Sequence, residues 1–259
     1  MISFKKKKII QFIRNFFRKL KSSFVKEKYY KSDIFWLKNM PEIDEDSKYL
    51  IELVGNHTMT PLIRRWALIK AIHYINKKNL EGDIVESGVW RGGNLFLSKR
   101  VQDKYYPDIK RSFYGYDTFE GMPKPSINDG LEMNEWYENF KRNKTDWAKA
   151  SLEDVIESSK FFFSQTDSFK FIKGKVEKTL NNKDNLPNKI SLLRLDTDWY
   201  ESTKIELETL YPLIVDNGVL IIDDYGDMPG CRKAVDEFFK NKDILLNSID
   251  RSCRIIIKN

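Results

Sequence analysis

The sequence predicts an α/β fold: a doubly wound, mainly parallel sheet with an antiparallel edge. Three observations carry this expectation. Short β-rich runs alternate with segments of helical spacing, the pattern that a parallel sheet with crossover helices requires. Two of those runs, Ile190–Leu195 and 219–222, end abruptly in carboxylates, with Asp196 and Asp198 after the first and Asp223 and Asp224 after the second. The chain closes on two further β-rich runs, 244–249 and 253–258, near enough in sequence to pair as antiparallel neighbours. In open α/β sheets the ligand crevice lies at the carboxyl ends of the strands. The four acids therefore predict an active site that holds a divalent cation.

A chain of 259 residues with 41% hydrophobic content can bury the core of one such domain with additions. The formal charge of +7 is unevenly placed. Residues 1–28 hold ten Lys and Arg against the single acid Glu27, which leaves the other 231 residues at about −2 by the same count. The body thus lacks the basic face of a nucleic-acid binder, and no nucleic-acid partner is expected. Two widely separated cysteines, Cys231 and Cys253, match no metal or redox spacing and fit a reducing, cytoplasmic setting. No run approaches the ~18 apolar residues of a membrane span.

Taken in order, the basic arm over residues 1–28 comes first. Ile9, Phe12, Ile13, Phe16, Phe17, Leu20 and Phe24 recur at three- and four-residue intervals among cations, predicting an amphipathic helix. Residues 1–24 suit an anionic membrane surface, which would place the protein peripherally on the inner face of the membrane. Docking on its own domain or on a partner subunit is the open alternative. Residues 29–80 form a helical extension, aromatic enough at 29–60 to contribute to a homo-oligomer contact. Within it Thr60-Pro61 reads as an N-cap and first-turn proline, starting a helix over 61–77. His57 and His73, the only histidines, are too few and too far apart for a His-rich metal site.

The third segment, 81–259, carries the sheet. A strand at Ile84 and Val85 meets Glu86, then Gly88, Gly92 and Gly93, before a helix over 94–101. Glycines let backbone approach a ligand where a side chain would collide. The spacing is not the Gly-x-Gly-x-x-Gly of dinucleotide binders. A second strand over 112–116 ends at Asp117, placed by one βαβ step beside the glycine turn and able to accept from ribose hydroxyls; helix capping is its structural alternative. Residues 121–150 have no clean periodicity and read as a lid inserted over the strand ends. A helix over 152–159, a strand Phe169–Lys173, the strand Ile190–Leu195, a helix over 201–211 and a helix over 229–240 complete the alternation.

Four blocks now resemble one family, the metal-dependent sugar O-methyltransferases of the macrocin (TylF) type. They are Val85-Glu-Ser-Gly-Val-Trp-Arg-Gly-Gly93, Tyr116-Asp-Thr-Phe-Glu-Gly-Met-Pro123, Leu193-Arg-Leu-Asp-Thr-Asp-Trp-Tyr-Glu-Ser-Thr203 and Ile221-Ile-Asp-Asp-Tyr-Gly226, the last followed by Pro229-Gly-Cys-Arg232. The resemblance implies a Rossmann-like class I methyltransferase over 81–259. It also implies S-adenosylmethionine as methyl donor, Mg2+ as metal, and a sugar-containing acceptor such as a glycoside, a nucleotide sugar or a surface or lipid-linked glycan. Carried over by position, Glu86, Gly88, Gly92, Asp117 and Thr118 bind the cofactor, Asp196, Asp223 and Asp224 ligate the metal, and Asp198 is the general base. Position 197 is Thr where relatives often have Gly.

The residues support this reading independently. Magnesium takes hard oxygen ligands and keeps positions open, and a sugar hydroxyl needs a Lewis acid to yield its proton near neutral pH. If the backbone stays extended past Leu195, Asp196 and Asp198 point to one side as ligand and base. The rival readings are a nicotinamide-dependent oxidoreductase and a non-enzymatic membrane-peripheral binding protein on the same fold.

Overall fold

Strand β1 (Asp83–Ser87) is the third of seven strands in a single sheet. A computed structural model describes residues 39–143 and 148–259. The expectations for the basic arm and for residues 29–38 lie outside the described residues. Ahead of the sheet come α1 (Glu45–Leu53) and α2 (Leu62–Lys77). From β1 the chain runs through α3 (Gly93–Tyr105) to β2 (Phe113–Asp117), then through α4 (Leu131–Arg142) and α5 (Leu152–Phe162) to β3 (Phe169–Lys173). It returns past the short α6 (Val176–Thr179) to β4 (Ile190–Leu195), and goes by α7 (Tyr200–Thr209) to β5 (Ile214–Ile222). Helix α8 (Pro229–Phe239) and the hairpin of β6 (Asn247–Ser248) and β7 (Arg254–Ile257) finish the fold.

The spatial order is β3-β2-β1-β4-β5-β7-β6. The first five strands are parallel, and β7 runs antiparallel to both β5 and β6. The expected doubly wound sheet with an antiparallel edge is therefore present. Its order reverses between β1 and β4, which makes their carboxyl ends the topological switch point. Every residue of β4 is buried, as a strand covered on both faces must be. One core packs α1, α2, α3 and α5 on one face, around Ile69, Ile72, Leu97 and Phe113; the other packs α7 and α8 on the opposite face, around Leu193, Leu207, Leu220 and Val235.

Three local expectations change. The N-cap of α2 is Pro61 rather than Thr60, because the Thr60 hydroxyl accepts from the buried side chains of Asn94 (2.9 Å) and Arg194 (3.1 Å) instead of from its own helix. Strand β5 begins at Ile214, five residues before the apolar run, since its first half passes two exposed residues, Asp216 and Asn217, on the way into the sheet. The insertion at 121–150 contains a 3-10 turn (Ile127–Asp129) and the helix α4. Only Tyr137 of α4 is buried, although Met133, Trp136, Tyr137 and Phe140 recur at helical spacing along it. Among the described residues no helix is long and apolar enough to cross a membrane.

Candidate active site

The backbone at the switch point closes tightly. Gly88 follows β1 with φ +83°, and a Cβ there would lie 1.9 Å from the carbonyl oxygen of Asp196, so only glycine lets the β1 turn and the β4 loop pass this closely. Gly92, at φ +84°, caps α3 against the Phe96 ring. Between them Trp90 takes φ +47° without being glycine, a conformation that costs an L-residue about 1–2 kcal/mol. Asp117 holds it there. Its Oδ2 accepts the N–H groups of Val89 (2.8 Å) and Trp90 (2.9 Å), and its Oδ1 accepts that of Phe119 (2.7 Å). Thr118 donates to the carbonyl of Gly121 at 2.7 Å, fixing the start of the insertion.

A cleft of about 460 Å3 opens beside this turn. Gly88, Asp117, Thr118, Asp196, Asp198, Asp223 and Asp224 all line it, so the structure brings seven of the nine sequence-predicted site residues to one cavity. Glu86 and Gly92 stand elsewhere. Glu86 is buried behind the wall, where its Oε1 accepts from Arg194 (2.6 Å) and Asn94 (3.0 Å), and Gly92 serves the helix start. Helix capping, the alternative for Asp117, gives way to the clamp on the glycine turn. Beyond the three short backbone bonds the carboxylate has only a long contact from the Thr118 hydroxyl (3.4 Å), the one that a ligand hydroxyl could replace.

On the other side, Asp196, Asp223 and Asp224 can each bring one carboxylate oxygen within 4.8 Å of the others. Beneath them lies Arg194, 2% exposed in the middle of β4. Its Nη1 donates to Glu86 and to Asp196 Oδ2 (2.7 Å), and its Nη2 donates to Asp223 Oδ1 (2.5 Å). Arg64, from α2, donates to the other oxygen of Asp223 (2.5 Å) and to Asp250 (2.7 Å). Two guanidiniums thus pair with four carboxylates, Glu86, Asp196, Asp223 and Asp250, while Asp198 and Asp224 line the cleft beside them without an ion pair of their own among the described residues. Burial pushes the Asp196 carboxyl up to about 6, with repulsion from Asp223 adding to it and Arg194 opposing. Burial and the neighbouring acids push Asp198 and Asp224 well above the usual carboxylate range. Oδ2 of Asp224 is buried without a hydrogen-bond partner.

Asp198 reaches this cluster by an unexpected route. The strand stops at Leu195, and Asp198 sits at φ +67°, so a turn, not strand alternation, places it beside Asp196. Arg194, Arg64 and Glu206 were missed by sequence reasoning. A charged residue inside the otherwise apolar run Ile190–Leu195 was the available signal for Arg194.

A parallel sheet in this order, with a ligand crevice at the β1/β4 switch and a glycine turn clamped by the acid after β2, defines a class I methyltransferase. The chain belongs to the TylF macrocin-O-methyltransferase family, whose model matches residues 41–256. It is therefore an S-adenosylmethionine-dependent O-methyltransferase, which sets aside the nicotinamide-dependent and non-enzymatic readings. It is 32% identical over 202 residues to demethyldecarbamoylnovobiocin O-methyltransferase of Streptomyces niveus, covering 75% of this chain and 73% of that protein. It is 30% identical over 190 residues to mycinamicin III 3''-O-methyltransferase of Micromonospora griseorubida, covering 70% of each. The structure of the O-methyltransferase NovP superposes with a TM-score of 0.70 at 28% identity, covering 78% of this chain and 82% of that one. The calicheamicin methyltransferase CalS11, at 19% identity and a TM-score of 0.58, covers 89% of this chain and 91% of its own and shares the fold.

Proposed function

We propose that the protein methylates a sugar hydroxyl of a glycosylated acceptor, using S-adenosylmethionine and Mg2+. The carrying observation is the acid cluster: three carboxylates around a common point, one with a buried oxygen that has no partner, in the same cleft as the glycine turn. Such a donor set fits a hard divalent cation. The acceptor class follows the relatives, one of which, from Streptomyces olivaceus, is named for methylating a rhamnosyl-tetracenomycin.

Asp196, Asp223 and Asp224 would hold the magnesium, and Gly88, Asp117 and Thr118 would border the methyl donor, with Glu86 and Gly92 supporting that border from behind. When bound, S-adenosylmethionine supplies an electrophilic methyl group and Mg2+ supplies Lewis acidity toward the acceptor hydroxyl. The chain's own part is to orient and to move one proton. Arg194 and Arg64 fix the Asp196 and Asp223 carboxylates so that few rotamers remain to be lost on binding. Asp198, on the cleft wall, accepts the proton of the acceptor hydroxyl as its oxygen is alkylated. Asp117 keeps the glycine turn in place and offers the oxygen of its long Thr118 contact to a donor hydroxyl.

The test is transfer of a labelled methyl group from S-adenosylmethionine to a panel of deoxysugar glycosides, nucleotide sugars and lipid-linked glycans, with and without a chelator. Transfer to a glycoside that stops on chelation and returns with Mg2+ is expected, and Asp196→Ala should abolish it while cofactor binding by calorimetry persists. Chelator-insensitive transfer would remove the metal from the proposal, and transfer only to non-sugar hydroxyls would remove the acceptor class.

A further inference from the structure

Behind the acid loop lies a carboxyl that the reaction does not use. Glu206, on α7, is 0% exposed and is not among the residues lining the cleft. One of its oxygens accepts the hydroxyl proton of Thr197 at 3.0 Å. Burial pushes this carboxyl well above the usual range, with the Thr197 hydroxyl opposing the rise. An apolar side chain would fill the same space without a polar group to satisfy. What Glu206 does that leucine could not is hold Thr197.

Thr197 stands between Asp196 and Asp198, and it is held at two points. Its hydroxyl is fixed by Glu206, and its carbonyl accepts the N–H of Trp199 at 2.8 Å, two residues along, as well as the Ser202 hydroxyl at 3.3 Å. A bond from residue i+2 to residue i across a central residue at φ +67° is the positive-φ γ-turn, a rare and strained conformation, with Asp198 at its apex. Such a residue persists only where its surroundings over-determine it. The downstream end is tied as well: Trp199 Nε1 donates to the Pro123 carbonyl (3.0 Å), and the Tyr200 N–H donates to the buried Asp129 (2.7 Å). The upstream end is tied at Asp196, whose N–H donates to the Ser87 carbonyl (2.9 Å) and whose carboxylate accepts from Arg194 (2.7 Å), and the Thr197 hydroxyl adds the one side-chain tie between that anchor and Asp198.

We propose that Thr197 and Glu206 form a strut that keeps Asp198 at the apex of this γ-turn, which makes both of them positioning residues for proton removal. The proposal rests on the reading of Asp198 as base. Without the hydroxyl the turn relaxes toward negative φ, and the Asp198 carboxylate swings away from the acceptor position while the donor side stays intact.

The deciding variants are Thr197→Val, which removes the hydroxyl at nearly constant shape, and Thr197→Ser, which restores it. In the full-length protein T197V is expected to lower kcat roughly 10- to 100-fold, the scale of a displaced catalytic group, with KM and cofactor affinity unchanged. T197S should recover most of that loss, and Glu206→Leu should reproduce it. In an Asp198→Ala background T197V should cost nothing further, because its effect passes through that side chain. A crystal structure of T197V should show Asp198 out of the positive-φ region. The strut is overturned if T197V keeps wild-type kcat, if it costs as much in the D198A background, or if its crystal structure retains the turn. Should the wild-type protein transfer methyl to no sugar, the proposed function fails on its own, and the T197V crystal structure still decides the strut.

Discussion

The two walls of the cleft solve the same problem in opposite ways. Each places a carboxylate at the end of a buried strand, and each keeps a non-glycine residue at positive φ, Trp90 on one wall and Asp198 on the other. On the donor wall Asp117 is satisfied by backbone: three N–H groups at 2.7–2.9 Å bond its two oxygens, offsetting part of the upward push from burial, and pin Trp90 in the same act. On the acid wall the two guanidiniums pair with Asp196 and Asp223, and with Glu86 and Asp250 behind them, while Asp198 and Asp224 have no ion pair among the described residues and Asp224 keeps a buried oxygen with no partner. Backbone dipoles are a fixed supply, so the donor wall is complete in the protein alone. The acid wall crowds more carboxyls than its guanidiniums pair, an excess that under the proposed function a bound cation would offset.

The sharpest way to break the comparison is to exchange losses between the walls. Asp198→Asn should lower kcat by about 10²–10⁴, the range of general-base catalysis, with cofactor affinity unaltered in calorimetry. Asp117→Ala should do the reverse. It orphans three N–H groups and frees Trp90, so cofactor affinity should fall and stability should drop by about 3 kcal/mol in denaturant titrations. Equal effects of the two substitutions on cofactor binding would show that the walls are not separate.

A smaller effect tests the excess charge directly. With Mg2+ present at 100 times its dissociation constant, linkage predicts a stabilisation of about 2.7 kcal/mol. Thermal melts of the wild type and of Asp117→Asn should both show it. Asp224→Asn, which replaces the unpartnered carboxylate by an amide, should lose most of it. A shift retained in the Asp224 variant would place the cation elsewhere.

What the sequence made legible divides along the same line. The strand Ile190–Leu195 and the acids after it were readable because a covered parallel strand is an unbroken apolar run and its end is a change of composition. The glycine turn announced itself in the same way. Helix α4 was legible in its Met133, Trp136, Tyr137 and Phe140 spacing, but the short stripe follows a Pro- and Gly-bearing stretch that reads as irregular chain. The turn at Asp198 stayed hidden. Its conformation depends on Glu206, nine residues beyond Thr197, and on Asp129, in the insertion, and neither spacing is a pattern that periodicity detects. Arg194 was visible as a letter but not as a partner. One guanidinium joining Glu86, Asp196 and Asp223 is a product of the strand register that pairs Glu86 with Arg194.

That buried register pair yields the smallest of the tests, one that requires no ligand. Burial pushes the Glu86 carboxyl from 4.5 up to about 7, with Arg194 opposing and Asp196 adding to the rise. The folded protein therefore binds the Glu86 proton more tightly than the unfolded chain does. As pH rises from about 4.5 to about 7 the unfolded chain releases its proton first, so this group makes stability fall across that window. Glu86→Gln cannot titrate, and denaturant midpoints measured from pH 5 to pH 8 should show this contribution removed, even if the amide lowers stability by a constant amount. A slope unchanged by the substitution would mean that Arg194 keeps Glu86 ionised throughout, and that the acid wall carries one more negative charge than its neighbours allow for.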